Sequence, residues 1–154
     1  MTVLYVKEYV MEISEFGNKG AQVVLIQSVG DHESDLIENE IALIRDNTEI
    51  SFKLIALKIN DWNRELSPWK APAVFDKEDF GDSAASTLNE IMKYCNDDTK
   101  TYYIGGYSLA GLFALWASYQ TDLFRGVAAA SPSIWFPGFT DYMKDHSIKV
   151  VTCT

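Results

Sequence analysis

Apolar positions gather into four runs, Val3 to Ile13, Gln22 to Gln27, Phe52 to Ile59 and Tyr102 to Gly106, with an alanine-rich fifth from Gly126 to Ala130. Runs this short, bounded by Gly, Asn, Asp and Ser, predict strands. Between them the period changes. Ser34 to Asp46 sets Leu36, Ile37, Ile41 and Ile44 on one side and acids on the other, the pattern of an amphipathic surface helix. Asp82 to Tyr94 opens on a capping-type Asp82 and spaces Ala84, Leu88, Ile91, Met92 and Cys95 helically. Leu109 to Tyr119 is apolar nearly all round, which predicts a helix buried on most of its surface.

Strands alternating with helices of this length need crossover connections, so the expected fold is α/β: a three-layer sandwich with a mostly parallel sheet. The first run alternates and carries charge, and is expected as an antiparallel N-terminal edge strand. No repeat, low-complexity tract or linker divides the chain, so residues 1–154 are expected as one domain. The final KVVTC begins another strand-like run at the point where the sequence ends.

The charge balance narrows the partners. With 13 Lys and Arg against 22 Asp and Glu the formal charge is -9, which repels nucleic acid and anionic membrane surfaces. No basic segment leads into an apolar run after Met1, and no apolar stretch reaches the ~18 residues that suggest a membrane span. The two cysteines, Cys95 and Cys153, have neither CxxC spacing nor the numbers of a disulfide framework, so a reduced, cytoplasmic residence is expected, with each packing as a small apolar side chain.

Candidate chemistry centres on residues 106 to 111, Gly-Tyr-Ser-Leu-Ala-Gly, close to the GxSxG pattern of a nucleophile elbow. In that motif a tight strand-to-helix turn presents a serine hydroxyl above the sheet. Small neighbours are needed because the serine backbone is strained and strand and helix come very close. Gly106, Ala110 and Gly111 meet that need. TYYIGGY reads as a strand and LAGLFALWASY as a helix, so Ser108 falls on the junction. Helix capping is the other role open to a serine there.

A hydroxyl attacking an acyl carbonyl creates an oxyanion, and the Leu109 N–H at the positive end of the helix would point toward it. A second donor is expected in QSVGDH, with Val29 the choice among Ser28, Val29 and Gly30. Ligands of open α/β sheets sit beyond the carboxyl ends of the strands. The loops there carry Trp62 and Trp69 in DWNRELSPWKAP and Trp135 and Phe136 in SPSIWFPGF, which with Tyr107 suggest an aromatic acyl pocket. The same rings could instead pin proline-containing loops onto the core. Arg64 could meet a substrate carboxylate or form a surface ion pair.

The run IGGYSLAGLFALWASYQTDLFRGVAAASPSIWFPGF, with DWNRELSPW upstream, resembles esterases of the α/β-hydrolase superfamily, near the branch that includes enterochelin esterases and S-formylglutathione hydrolases. The similarity spans roughly residues 20 to 151. It implies hydrolysis of a small-molecule ester or thioester by Ser108, no metal or organic cofactor, and a triad in the order Ser, acid, His. In that family the acid follows the strand after the helix at 138–147, and the histidine follows the next strand again. Here the sequence ends at Thr154, so the resemblance implies a domain that lacks its last strands, with an impaired triad. It also implies a sheet edge open to a second copy of the chain.

Two histidines remain. His146, with Asp145 beside it, is expected at the opposite edge of the sheet from Ser108. His32 follows a strand on the pocket side but opens an acidic helix. Two other classes of function compete with hydrolysis. One is a non-catalytic binding module on the same fold. The other is a nucleotide site at GGYSLAG, which has Ser108 where GxGxxG needs its middle glycine and no Walker lysine.

Overall fold

The computed structural model describes residues 11–149. Most of the Val3 to Ile13 run, Cys153 and nearly all of KVVTC lie outside them. The elements follow in the order β1 (Ile13–Gly17), β2 (Val23–Val29), α1 (Asp31–Ser34), α2 (Ile37–Asn47), β3 (Phe52–Lys58), α3 (Trp62–Glu65), α4 (Ala84–Met92), β4 (Thr101–Tyr107), α5 (Leu109–Gln120), β5 (Phe124–Ala130) and α6 (Phe139–Asp145).

The five strands form one sheet in the order β1-β3-β2-β4-β5. β1 pairs antiparallel with β3, from Ile13 opposite Leu57 to Gly17 opposite Lys53. The other four are parallel, with Ile26 beside both Ile55 and Ile104, and Ile104 beside Val127. The parallel sheet and the antiparallel edge are as expected, although the edge strand begins where the Val3 to Ile13 run ends.

Alternation along each strand divides the core. Val24, Ile26, Ile55, Leu57 and Ile104 meet Leu88 and Ile91 of α4 and Leu112, Phe113 and Ala117 of α5 on one face. Val29, Phe52, Leu54 and Ala56 meet Ile37 and Ile41 of α2 on the other. This is the three-layer α/β sandwich, and it is uneven. α2 covers β2 and β3, while toward β4 and β5 the same face bears a cavity of about 520 Å³ lined by Leu25, Gln27, Glu40, Gly105, Tyr107 and Ala128 among others.

Two helices differ from the periodicity. The Ser34 to Asp46 pattern divides into α1 and α2, because Gly30 nucleates a short turn of its own: the Glu33 N–H donates to the Gly30 carbonyl at 3.2 Å and the Gly30 N–H to Glu33 Oε2 at 3.0 Å. α4 starts one residue after Ser83 instead of Asp82, and no side chain caps it. The cap comes from the tertiary fold, since the Ala84 N–H donates to the Ser67 carbonyl at 3.1 Å. Among the described residues no helix is long and apolar enough to cross a membrane.

Candidate active site

Because β3, β2, β4 and β5 run parallel, the loops that follow them lie along one end of the sheet. Ser108 stands at that end, between the last residue of β4 and the first of α5, with φ 59° and ψ -120°. Positive φ brings Cβ against the following carbonyl, so only a structure that over-determines the turn holds a serine there. The surroundings do so. A Cβ on Gly106 would come within 2.6 Å of the Ala110 carbonyl carbon and oxygen, and one on Gly111 within 3.1 Å of the Gly106 oxygen. Strand and helix touch through their backbones at these two glycines. α5 is buried from Leu109 to Ala114, so hydrophobic packing on its whole circumference presses it onto the sheet.

The Ser108 side chain makes no capping bond to its own helix, which sets aside the capping role. The half-buried hydroxyl instead faces Ser133, Oγ to Oγ at 3.2 Å. The Leu109 N–H belongs to the first turn of α5, whose amides have no acceptor inside the helix. Val29, the predicted second donor, closes β2; it is buried, and its carbonyl accepts from the Ile59 N–H at 2.9 Å. The Ser28 hydroxyl beside it is buried without a hydrogen-bond partner. The Gly30 N–H is already held by Glu33.

The aromatic residues are spread out. Trp62 packs over Gly30 and lines a cavity of about 300 Å³ with His32, Asn60 and Ile59. Trp69 is a peg: its indole N–H donates to the Pro137 carbonyl at 2.9 Å, and its ring lies 5.4 to 6.5 Å from those of Phe136, Phe139 and Tyr142. Trp135 is 44% exposed and meets Phe75, itself 78% exposed, edge-on at 4.8 Å. Tyr107, 54% exposed, lines the large cavity on the α2 face. Trp62 thus faces the cavity beside His32, whereas Trp69 and Trp135 are joined by ring contacts through Phe136 and Phe80.

Neither histidine is bonded to Ser108. His32 is exposed on α1. His146 caps the end of α6, with Nδ1 2.9 Å from the Tyr142 carbonyl and its ring stacked on Tyr142 at 4.0 Å. Arg64 forms the expected ion pair, Nε to Asp61 Oδ2 at 3.5 Å. Cys95 is buried and free, and burial pushes its thiol up to about 12. No group of three or more His, Cys, Asp or Glu side chains converges as metal ligands do among the described residues.

Two residues that sequence reasoning passed over organise these loops. Glu65 is buried and accepts from the Asn60 and Asp61 N–H groups, fixing the turn after β3. Ser133 is buried against the elbow. In the sequence a buried glutamate in a charged stretch looks like a surface residue, and a contact made across 25 positions leaves no local signal.

No family model and no curated protein matches the chain. Solved structures do. The chain is similar to the siderophore hydrolase EstA from Aspergillus nidulans, with 17% identity and a TM-score of 0.61 over 94% of this chain and 64% of that one. It is similar to an IroE-like serine hydrolase from Shewanella oneidensis, with 15% identity and a TM-score of 0.73 over 88% and 51%. An alpha-beta serine hydrolase homologue from Coxiella burnetii gives 12% and 0.57 over 84% and 61%. The chain thus spans about half to two thirds of the length of these structures, and over that span it carries the α/β-hydrolase fold.

Proposed function

We propose that this chain is the nucleophile-bearing part of a serine hydrolase of the esterase or thioesterase type, with Ser108 attacking a small acyl ester. One observation carries the reading: Ser108 occupies a strained, positive-φ turn with its hydroxyl free of its own helix. Such strain persists where a side chain must be presented, and a helix cap needs none of it. In this reading the acyl carbonyl oxygen becomes an anion beside the Leu109 N–H, at the positive end of the 12-residue α5, with Val29 as second donor. The exposed rings of Tyr107 and Trp135 border the acyl group.

Among the described residues neither histidine is bonded to Ser108, so in this reading the hydroxyl works without an imidazole base and rates fall orders of magnitude below those of a full triad. An ester with a good leaving group needs no general acid, and p-nitrophenyl acetate is the test. The expected result is slow acetylation of Ser108, located by peptide mass mapping, without sustained turnover. Ser108→Ala should abolish the adduct and His32→Ala should leave it unchanged. If the parent chain carries no acetyl group on Ser108, the hydrolase reading falls, and a binding module that keeps the fold takes its place. The buried free thiol of Cys95 suits a reducing compartment such as the cytoplasm.

A further inference from the structure

The end of β5 and the loop after it are bonded to the Ser108 turn at two backbone positions. The Ser108 N–H donates to the Ala130 carbonyl at 3.1 Å, and the Ser133 N–H donates to the Ser108 carbonyl at 3.1 Å. Between them Ser131 has φ 42°, the only non-glycine residue besides Ser108 with positive φ among the described residues. A Cβ on Gly111 would approach Pro132 Cα to 3.2 Å and the Ala130 oxygen to 3.3 Å. Two strained turns thus hold one another, and Ser133 is left 2% exposed with its hydroxyl on the nucleophile. Buried hydroxyls find partners, and the partner of this one is Ser108 Oγ.

We propose that Ser133 is a positioning residue for the nucleophile: its hydroxyl donates to Ser108 Oγ, holding it in one rotamer and supporting it as negative charge develops. The inference rests on the hydrolase reading above. At 3.2 Å the contact is longer than the usual O–H···O range, which suits a bond that shortens once its acceptor becomes anionic. In the acylation step a bond forms between Ser108 Oγ and the acyl carbon, and the bond to the leaving oxygen breaks. The Ser108 proton passes to solvent hydroxide, p-nitrophenolate departs with the electron pair, and Ser133 keeps its own proton. Among the described residues this hydroxyl is the side chain bonded to the reacting oxygen.

The test measures the rate of Ser108 acetylation by p-nitrophenyl acetate on the full chain, as a function of pH, by peptide mass mapping. Ser133→Ala should slow it at least about tenfold, in keeping with loss of a donor at a reacting oxygen, and should displace the rate profile to higher pH. Ser133→Cys keeps nearly the same volume but offers only a weak donor, so it should be slow as well while melting at the parent temperature. It also serves if the alanine variant fails to fold. Parent-like acetylation of Ser133→Ala, or full recovery by Ser133→Cys, would show that the residue merely fills space and would overturn the proposal while the hydrolase reading stands. Absence of any acetyl-Ser108 in the parent chain would remove that reading first and this inference with it.

Discussion

The two sides of the candidate site are built differently. Around Ser108 the geometry is fixed by backbone: strand against helix at Gly106 and Gly111, and loop against elbow at Ala130 and Ser133. Around Gly30 and His32 a single backbone bond, Glu33 N–H to the Gly30 carbonyl, is backed by side chains, through half-buried Glu33 reaching back to Gly30 and an exposed ion pair of Lys58 with Asp31 at 3.3 Å. Exposed contacts of that kind are individually worth little. Presentation of the Ser108 hydroxyl therefore depends on the buried core, whereas the α1 turn that follows β2 is held largely by contacts nearer the surface.

The sharpest way to break this contrast is to put the same methyl group on each side. Gly106→Ala should destabilise the fold by about 3 kcal/mol in urea unfolding, because the clash is with Ala110 backbone that cannot yield. Gly30→Ala meets only the edge of the Trp62 ring, at 3.3 Å, and should cost less than about 1 kcal/mol. Equal costs would mean that both sides are equally rigid.

A smaller effect measures the strain itself. Ser108→Gly should be more stable than Ser108→Ala by about 1 kcal/mol, since glycine relieves positive φ worth ~1–3 kcal/mol and returns part of that through its flexible unfolded state. An alanine variant of equal or greater stability would show that the turn is relaxed.

The least effect belongs to the other side. Glu33→Ala should cost about 0.5–1 kcal/mol by opening the α1 turn, and should speed hydrogen exchange at residues 31–34 without changing Ser108 acetylation. A drop in acetylation would tie this loop to the reaction more closely than its contacts do.

The same division explains what could be read before any coordinates. The parallel strands, α5 and the strand-to-helix turn at Ser108 were legible because each is specified locally: an apolar run, an all-round apolar helix, and small residues at the junction. The fold's likeness to the solved serine hydrolases extends over 84–94% of the chain, at 12–17% identity. The split of α1 from α2 was hidden because Glu33 reads as one acid among several on a helical face. The start of α4 was hidden because its cap is the Ser67 carbonyl, supplied from another loop. Trp69 and Trp135 looked alike in sequence, both within two residues of a proline in loops after strands. Only packing separates the peg bonded to Pro137 from the ring left half in solvent.

The uneven cover of the sheet bears on how such a protein would fail. On the α2 face the large cavity reaches Gly105 and Tyr107, directly behind the turn that carries Ser108. The rear of β4 toward β5 thus lacks the side-chain cover that α4 and α5 give the opposite face. On warming, the packing on the α2 face would loosen ahead of the α4 and α5 side, on which the Ser108 turn is held. Hydrogen exchange in α2 would then rise at temperatures where circular dichroism still reports an intact fold.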